Sequence, residues 1–367
     1  MFRILINEIN HILKSKFALF MYIAIPVITS VIIINILKES RIRDMPIGVV
    51  DLDNTNLSRD ILFNIDSIHT IKIMNEYKSI NEAKNDLNTG KIYALTVIPN
   101  GLQKDIKKQI APTIALYYNA QYVLIGKNIN NSILQTSNSI NTKINMQKHI
   151  VNDKNILMAL GNSIDFIPKI IGLYNENSNY TQFLITAILP CLWQLLAIFC
   201  MINLLANESK LNTSNILAKM IINTFILFIW WIAMMFVFKY FDYPLEGNVS
   251  ILALNALITL IAYASVGLFI YSLSSSHIKA ISIATIYSAP ALAFVGITYP
   301  INNMNSFAVF WGEMMPITKY MQVYIQQANY GVDSQISLKL ILQNLLFLLF
   351  GVGGFIIYFN KQNRDVK

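Results

Sequence analysis

Few residues in this chain could do chemistry, and their spacing excludes most of the reactions they suggest. Asp51 and Asp53 stand two apart across a turn, with Asp60 further on, and such carboxylates could hold a cation. No His or Cys lies near them, and Asp-Asn turns are held by side chains that bond their own backbone, so turn chemistry is the preferred reading. His69 and His149 stand alone and read as surface or packing residues. A phosphate-cradling loop needs Gly, four residues, then Gly-Lys-Ser/Thr, so that backbone amides surround the phosphates. Gly90-Lys91 is followed by Ile92 and Gly126-Lys127 by Asn128, so neither pair serves. Cys191 and Cys200 lie nine apart in one apolar run, on opposite faces of a helix, and cannot pair with each other. There is no Gly-x-Ser-x-Gly, no His-Glu-x-x-His and no catalytic carboxylate pair, and the sequence calls for no metal and no cofactor.

What must position any function is a membrane body. Of 367 residues 54% are hydrophobic and 13% charged, against about 25% charged in a soluble domain. The net charge of +8 does not point to nucleic acid, because the basic residues are not clustered with aromatics. They are distributed as a membrane protein distributes them.

Six runs are long enough to cross a hydrocarbon core: Phe17–Leu37, Gln182–Ala206, Met220–Phe238, Ser250–Leu273, Ile278–Thr298 and Leu338–Phe359. With the N-terminus inside, one side of the membrane holds Arg3, Lys14, Lys16, Lys210, Lys219, Lys279, Lys361, Arg364 and Lys367. The other side's short loops hold only Lys239, Lys319 and Lys339. The bias predicts cytoplasmic termini, with a tail from residue 361, and an external insert between the first two spans. Residues 1–16, with Phe2, Leu5, Ile9, Ile12 and Leu13 on one face and Glu8 mostly elsewhere, read as a helix lying on the cytoplasmic surface.

Residues 38–180 change character. Ile47–Asp51, His69–Met74, Tyr93–Ile98 and Thr113–Tyr118 read as strands. Helices start near Thr55 or Asn56, at Ser79 (whose partner Glu82 completes a capping-box pattern) and at Leu102. The alternation predicts a small α/β domain, followed from 122 to 149 by long polar helices. The fold class expected is therefore an α-helical polytopic membrane protein with six transmembrane helices and an inserted extracytoplasmic α/β domain.

None of the spans contains Asp, Glu or Arg, as a proton- or sodium-coupled carrier would. Gln194, Asn203, Asn223, Asn255 and Gln343 are amides that more often join helices than carry substrate. The last external connection, residues 299–333, numbers 35 residues and is too apolar for a free loop. Pro300 and Pro316 divide it, which predicts two short helices that dip into the outer leaflet, with Trp311, Tyr320 and Tyr324 near the membrane–water interface, and form part of an exit gate whose residues include Pro300, Trp311, Glu313, Pro316 and Tyr320.

Four stretches resemble the type-two ABC exporter permeases with a large extracytoplasmic insert. They are Ile47-Gly-Val-Val-Asp-Leu-Asp-Asn-Thr-Asn-Leu-Ser-Arg59, then Glu82-Ala83 through Gly90-Lys91 to Val97-Ile98-Pro99, then Leu189-Pro190, and lastly Gly296 to Pro300 with Met315-Pro316-Ile-Thr318. The resemblance implies a permease subunit of a bacterial inner-membrane exporter. It would work as a homodimer or with a related permease, driven by a cytoplasmic ABC ATPase subunit and served in some systems by a periplasmic adaptor protein. It also implies that the stretch 207–215, with Glu208, Lys210, Leu211 and Thr213, contacts the ATPase. That stretch lacks the Gly and the second acid usual in the family. A membrane-anchored sensor or scaffold with a ligand-binding outer domain is the alternative, and five further spans are more than an anchor needs.

Overall fold

The computed structural model describes residues 1–37, 44–108, 110, 112–118, 129–134, 136, 179–208 and 211–364. Most of the expected polar helices over 122–149, together with His149 and Lys210, lie outside these residues. The chain divides into two compact units, residues 1–40 with 172–367 and residues 41–171.

In the first unit, five helices among the described residues are long and apolar enough to cross a membrane: Lys16–Leu37, Thr181–Ala206, Thr213–Tyr240, Val249–Leu273 and Ser334–Asn363. Five of the six runs expected from sequence correspond to these helices. The run taken as the fifth, Ile278–Thr298, is instead a helix His277–Ser288, a break at Pro290 and a short helix Ala291–Phe294. Proline in mid-run lacks an amide hydrogen and crowds the preceding turn, so the helix stops there. The last helix continues past residue 361 to Arg364, so the expected tail begins inside it.

The outside of this bundle is apolar. Phe20, Ile23, Ile32 and Ile36 on the first span, Phe225 and Phe236 on the third and Leu346 and Leu349 on the last are all half or more exposed. A water-soluble fold would hide such a surface, whereas a bilayer solvates it. The first span shows how the bundle handles a proline. Pro26 cannot donate to the carbonyl of Tyr22 one turn back, and a π-turn over Phe20–Ala24 precedes it. The freed Tyr22 carbonyl accepts the indole N–H of Trp230 at 2.7 Å.

The second unit contains a four-stranded sheet in the order β2-β1-β3-β4. Its strands are β1 Met45–Asp51, β2 Ile71–Glu76, β3 Ala94–Ile98 and β4 Ala115–Tyr118. β1 runs parallel to β2 and β3, and β4 is antiparallel to β3. Both faces are covered. Ile47 and Val49 pack with Ile61, Ile65 and Leu102 on one side, and Val50 packs with Tyr77, Ala83 and Ile92 on the other.

The carboxylates after β1 organise this unit's turns. Asp51 Oδ1 accepts the amides of Asp53 and Asn54, and its Oδ2 accepts Ser58 Oγ at 2.6 Å. Asp53 accepts Thr55 Oγ1 at 2.6 Å and the amides of Gly101 at 2.9 Å and Gln103 at 3.1 Å, at the start of helix Leu102–Lys107. The Thr55 hydroxyl and these amides hold the Asp53 carboxyl below the usual carboxylate range. A depressed carboxylate gives stability that is present above its ordinary pKa and lost as pH falls through the lowered value. Asp53→Ala should cost about 1 kcal/mol, as for a lost helix cap, and speed hydrogen exchange of the Gly101 and Gln103 amides in the full chain. Unchanged exchange of both would contradict the assignment.

Candidate functional site

At the end of the bundle holding the N-terminus, helix Phe2–Lys14 packs on helix Thr213–Tyr240. Their contact centres on a charge. Lys219 lies six residues into the second helix with its side chain 1% exposed, and Glu8 faces it at 2.7 Å with 7% exposure. The third member is Glu208, from the loop before that helix, at 3.2 Å from Lys219. Glu208 also accepts Asn215 Nδ2 at 3.2 Å. One lysine therefore ties together the N-terminal helix, a span and the loop between spans.

The two acids differ. Burial pushes the Glu8 carboxyl up, and the neighbouring Glu208 carboxyl adds to this, together more than Lys219 draws it down. Burial raises Glu208 as well, but Lys219 outweighs it and the carboxyl is held low.

The residues expected to contact an ATPase fare unequally. Glu208 joins the network. Leu211 is fully buried, and its amide donates to the Tyr358 hydroxyl at 3.1 Å. Thr213 is exposed in the first turn of its helix, which begins seven residues before the expected start at Met220. Lys210 lies outside the described residues. The N-terminal helix also differs from its expected orientation. Leu5, Glu8 and Ile12 make its inward face, and Phe2, Ile6, Ile9 and Leu13 form an exposed apolar stripe. Glu8 and Lys219 were missed as a pair. Leu5, Glu8 and Ile12 lie at i, i+3 and i+7, and an acid at the centre of such a row was the available signal.

At the opposite end, residues 299–333 form helices Ser306–Glu313 and Pro316–Tyr324, the latter continuing as a π-turn to Asn329. Tyr320 and Tyr324, expected near a membrane–water interface, are instead buried among the spans. Pro316 is also buried, Trp311 is half-buried, and Pro300 and Glu313 are exposed.

Polar side chains from the spans hold the second helix. Its Tyr320 hydroxyl accepts Trp231 Nε1 at 2.9 Å, and its Tyr320 carbonyl accepts Asn255 Nδ2 at 3.1 Å. The Pro316 carbonyl accepts Asn344 Nδ2 at 3.1 Å. The Tyr263 hydroxyl accepts the Ile317 amide at 3.0 Å and itself donates to Gln194, whose amide reaches the Ser288 carbonyl. Asn223 bonds Tyr22 and the Ala197 carbonyl, so Gln194, Asn223 and Asn255 all join helices. Gln343 is exposed instead.

Buried Gln327 knots the end of this segment to the loop before Val249–Leu273, accepting the Asn248 amide at 2.9 Å and donating to Val332 and Ser337. Gly247 lets the two strands of backbone approach, since a Cβ there would stand 2.7 Å from the Gln327 carbonyl.

Among the described residues, a bundle of long apolar helices carries a buried charge network at one end and a docked helical segment at the other. Residues 16–359 match the family described as ABC-2 family transporter protein, and the chain belongs to that family. It is accordingly a membrane permease subunit of ABC type. No curated protein and no solved structure gives a significant match.

Removing one member of a buried ion pair strands the other, at a cost of about 3–5 kcal/mol, whereas removing both is far less costly. Lys219→Met should therefore lower the thermal unfolding midpoint of the purified permease markedly, and Glu8→Gln combined with Lys219→Met should restore most of the loss. Equal destabilisation by the single and double variants would contradict a direct pair. At the other end, Gly247→Ala should also lower the midpoint, because a Cβ cannot fit without parting residue 247 from Gln327. A wild-type midpoint would contradict that close approach.

Proposed function

We propose that this chain is the permease of an ATP-driven exporter. It works as a homodimer in a bacterial inner membrane, with both termini cytoplasmic and the α/β insert outside. ATP is hydrolysed by a separate ABC ATPase subunit, which docks where the N-terminal helix meets the loop 207–215. The observation that carries this reading is the buried Glu8–Lys219–Glu208 network. Exposed charge pairs contribute little and move freely, but a buried, paired lysine couples the elements that share it. A force applied at the loop is thereby delivered to a span and to the N-terminal helix together.

The sixth crossing is made by the broken helix pair around Pro290, and the segment 299–333 belongs to the exit gate. In this reading the gate's moving part is helix Ser306–Glu313. It is less buried than Pro316–Tyr324, which is fixed to the spans by the bonds of Tyr263, Asn255, Asn344 and Trp231.

Two measurements test the reading. In intact cells, a membrane-impermeant thiol reagent should label Asn88→Cys and leave Asn212→Cys unlabelled until the membrane is opened. Purification of the tagged permease from its native membrane should bring a P-loop ATPase subunit in fixed ratio, with ATP turnover abolished by substitution of that subunit's phosphate-loop lysine. External labelling at 212, or a permease that purifies with no ATPase, would overturn it.

A further inference from the structure

We propose that a cleft between the fourth long helix, the last helix and the broken helix binds one amphiphile, with a single apolar chain and a zwitterionic head. Two neighbouring cavities, of about 590 Å³ and 220 Å³, share Met314 and Phe350 in their walls. Together they are of the size that holds a small organic molecule.

The two ends differ in chemistry. The larger cavity has Glu313, Lys319 and Gln343 at its wall, with Phe347 behind. Glu313 and Lys319 are paired at 2.8 Å, so this end carries both signs and no net charge. The smaller cavity is lined by Val266, Ile270, Leu273 and Ile283, with Tyr287. The Tyr287 hydroxyl is already committed to the Met314 carbonyl, which leaves the trough an apolar lining.

The back wall is fixed. A Cβ on Gly351 would stand 2.9 Å from Ser265 Oγ, and one on Gly354 would stand 2.9 Å from the Phe269 amide nitrogen. The last helix thus packs against Val249–Leu273 through small residues spaced three apart. Asn344 bonds Thr259 and Lys361 bonds the Ser272 carbonyl, so the two helices run parallel. In this register the cleft spans residues 343–350 of one helix and then 266–273 of the other, about 20 Å at 1.5 Å per residue. That is room for an extended acyl chain.

The direction of the gradient favours an outer-leaflet amphiphile over a second copy of the chain. The paired charges stand on the segment 299–333, and the apolar trough runs away from it toward the end of the bundle that holds the N-terminus. On the orientation proposed above, the head would sit at the external interface and the chain would point inward, as a lipid of the outer leaflet lies. A zwitterionic head offers its cation to Glu313 and its anion to Lys319. The orientation of the head rests on that reading, but occupancy of the cleft does not, and it can be measured without ATP.

The probe is a lysophosphatidylcholine carrying a diazirine in its chain, added to the full-length permease in lipid nanodiscs. Photolabelling should concentrate in residues 266–273 and 343–350 and be competed by unlabelled lysophosphatidylcholine. Ile270→Trp should fill the trough and reduce labelling about ten-fold, while Ile23→Trp on the lipid-facing first span should leave it unchanged. If Ile270→Trp does not fold, Ile283→Trp fills the trough from the opposite wall. Lys319→Gln, which removes the cation from the mouth and leaves Glu313, should weaken competition by the zwitterion more than competition by an uncharged single-chain amphiphile. Even labelling along all lipid-facing helices would overturn the proposal. So would labelling indifferent to the trough variants, or a Leu346→Cys disulfide between copies that excludes the probe.

Discussion

A lysine with almost no exposed surface, in the first turns of a membrane-crossing helix, can keep its charge only if opposite charge is held against it. Lys219 meets that condition with Glu8 and Glu208, and much of the arrangement at this end follows. The N-terminal helix must lie with Glu8 inward, which turns Phe2, Ile6, Ile9 and Leu13 outward as an apolar stripe suited to a membrane surface. The chain before helix Thr213–Tyr240 must bring Glu208 close enough to reach the same ammonium. Leu211 is then fully buried, and its amide is satisfied by the Tyr358 hydroxyl of the last helix. A charge that would be costly alone becomes the joint of three elements.

The same rule applied to backbone accounts for the other end. Peptide groups at membrane depth need partners, and any helix that stops short leaves groups unpaired. Helix Pro316–Tyr324 begins with proline, which has no amide hydrogen to satisfy, and its next amide is taken by Tyr263. Asn255, Asn344 and Gln327 supply the remaining bonds at the segment's carbonyls and neighbouring loops. The amides scattered through the spans are therefore the means by which a non-crossing segment is fixed inside the bundle.

Much of this was legible in the sequence. Apolar length gave five of the spans to within a few residues at most ends, and Thr55 and Ser79 are the caps of the helices that follow them. The Asp51 and Asp53 carboxylates serve the turn, as the surrounding Asn and Thr suggested. What was not legible depended on partners distant in sequence. Counting apolar residues does not register that Pro290 breaks a run. A helical-face analysis that sorts Glu8 with the charged residues does not register a lysine 211 positions away. Tyr320 and Tyr324 illustrate the same limit, because aromatic rings prefer an interface until other helices bury them. The residues expected at a gate are divided by the packing into buried Pro316 and Tyr320 and exposed Pro300 and Glu313, which their sequence spacing does not show.

In the proposed exporter, Lys219 is the joint through which ATPase and permease move together. The most direct measurement is ATP turnover by the purified complex carrying Glu8→Gln with Lys219→Met, the combination expected to restore most of the lost stability. The expected result is a complex that assembles and remains stable while the permease's stimulation of ATP turnover is lost. Full stimulation from that complex would contradict it.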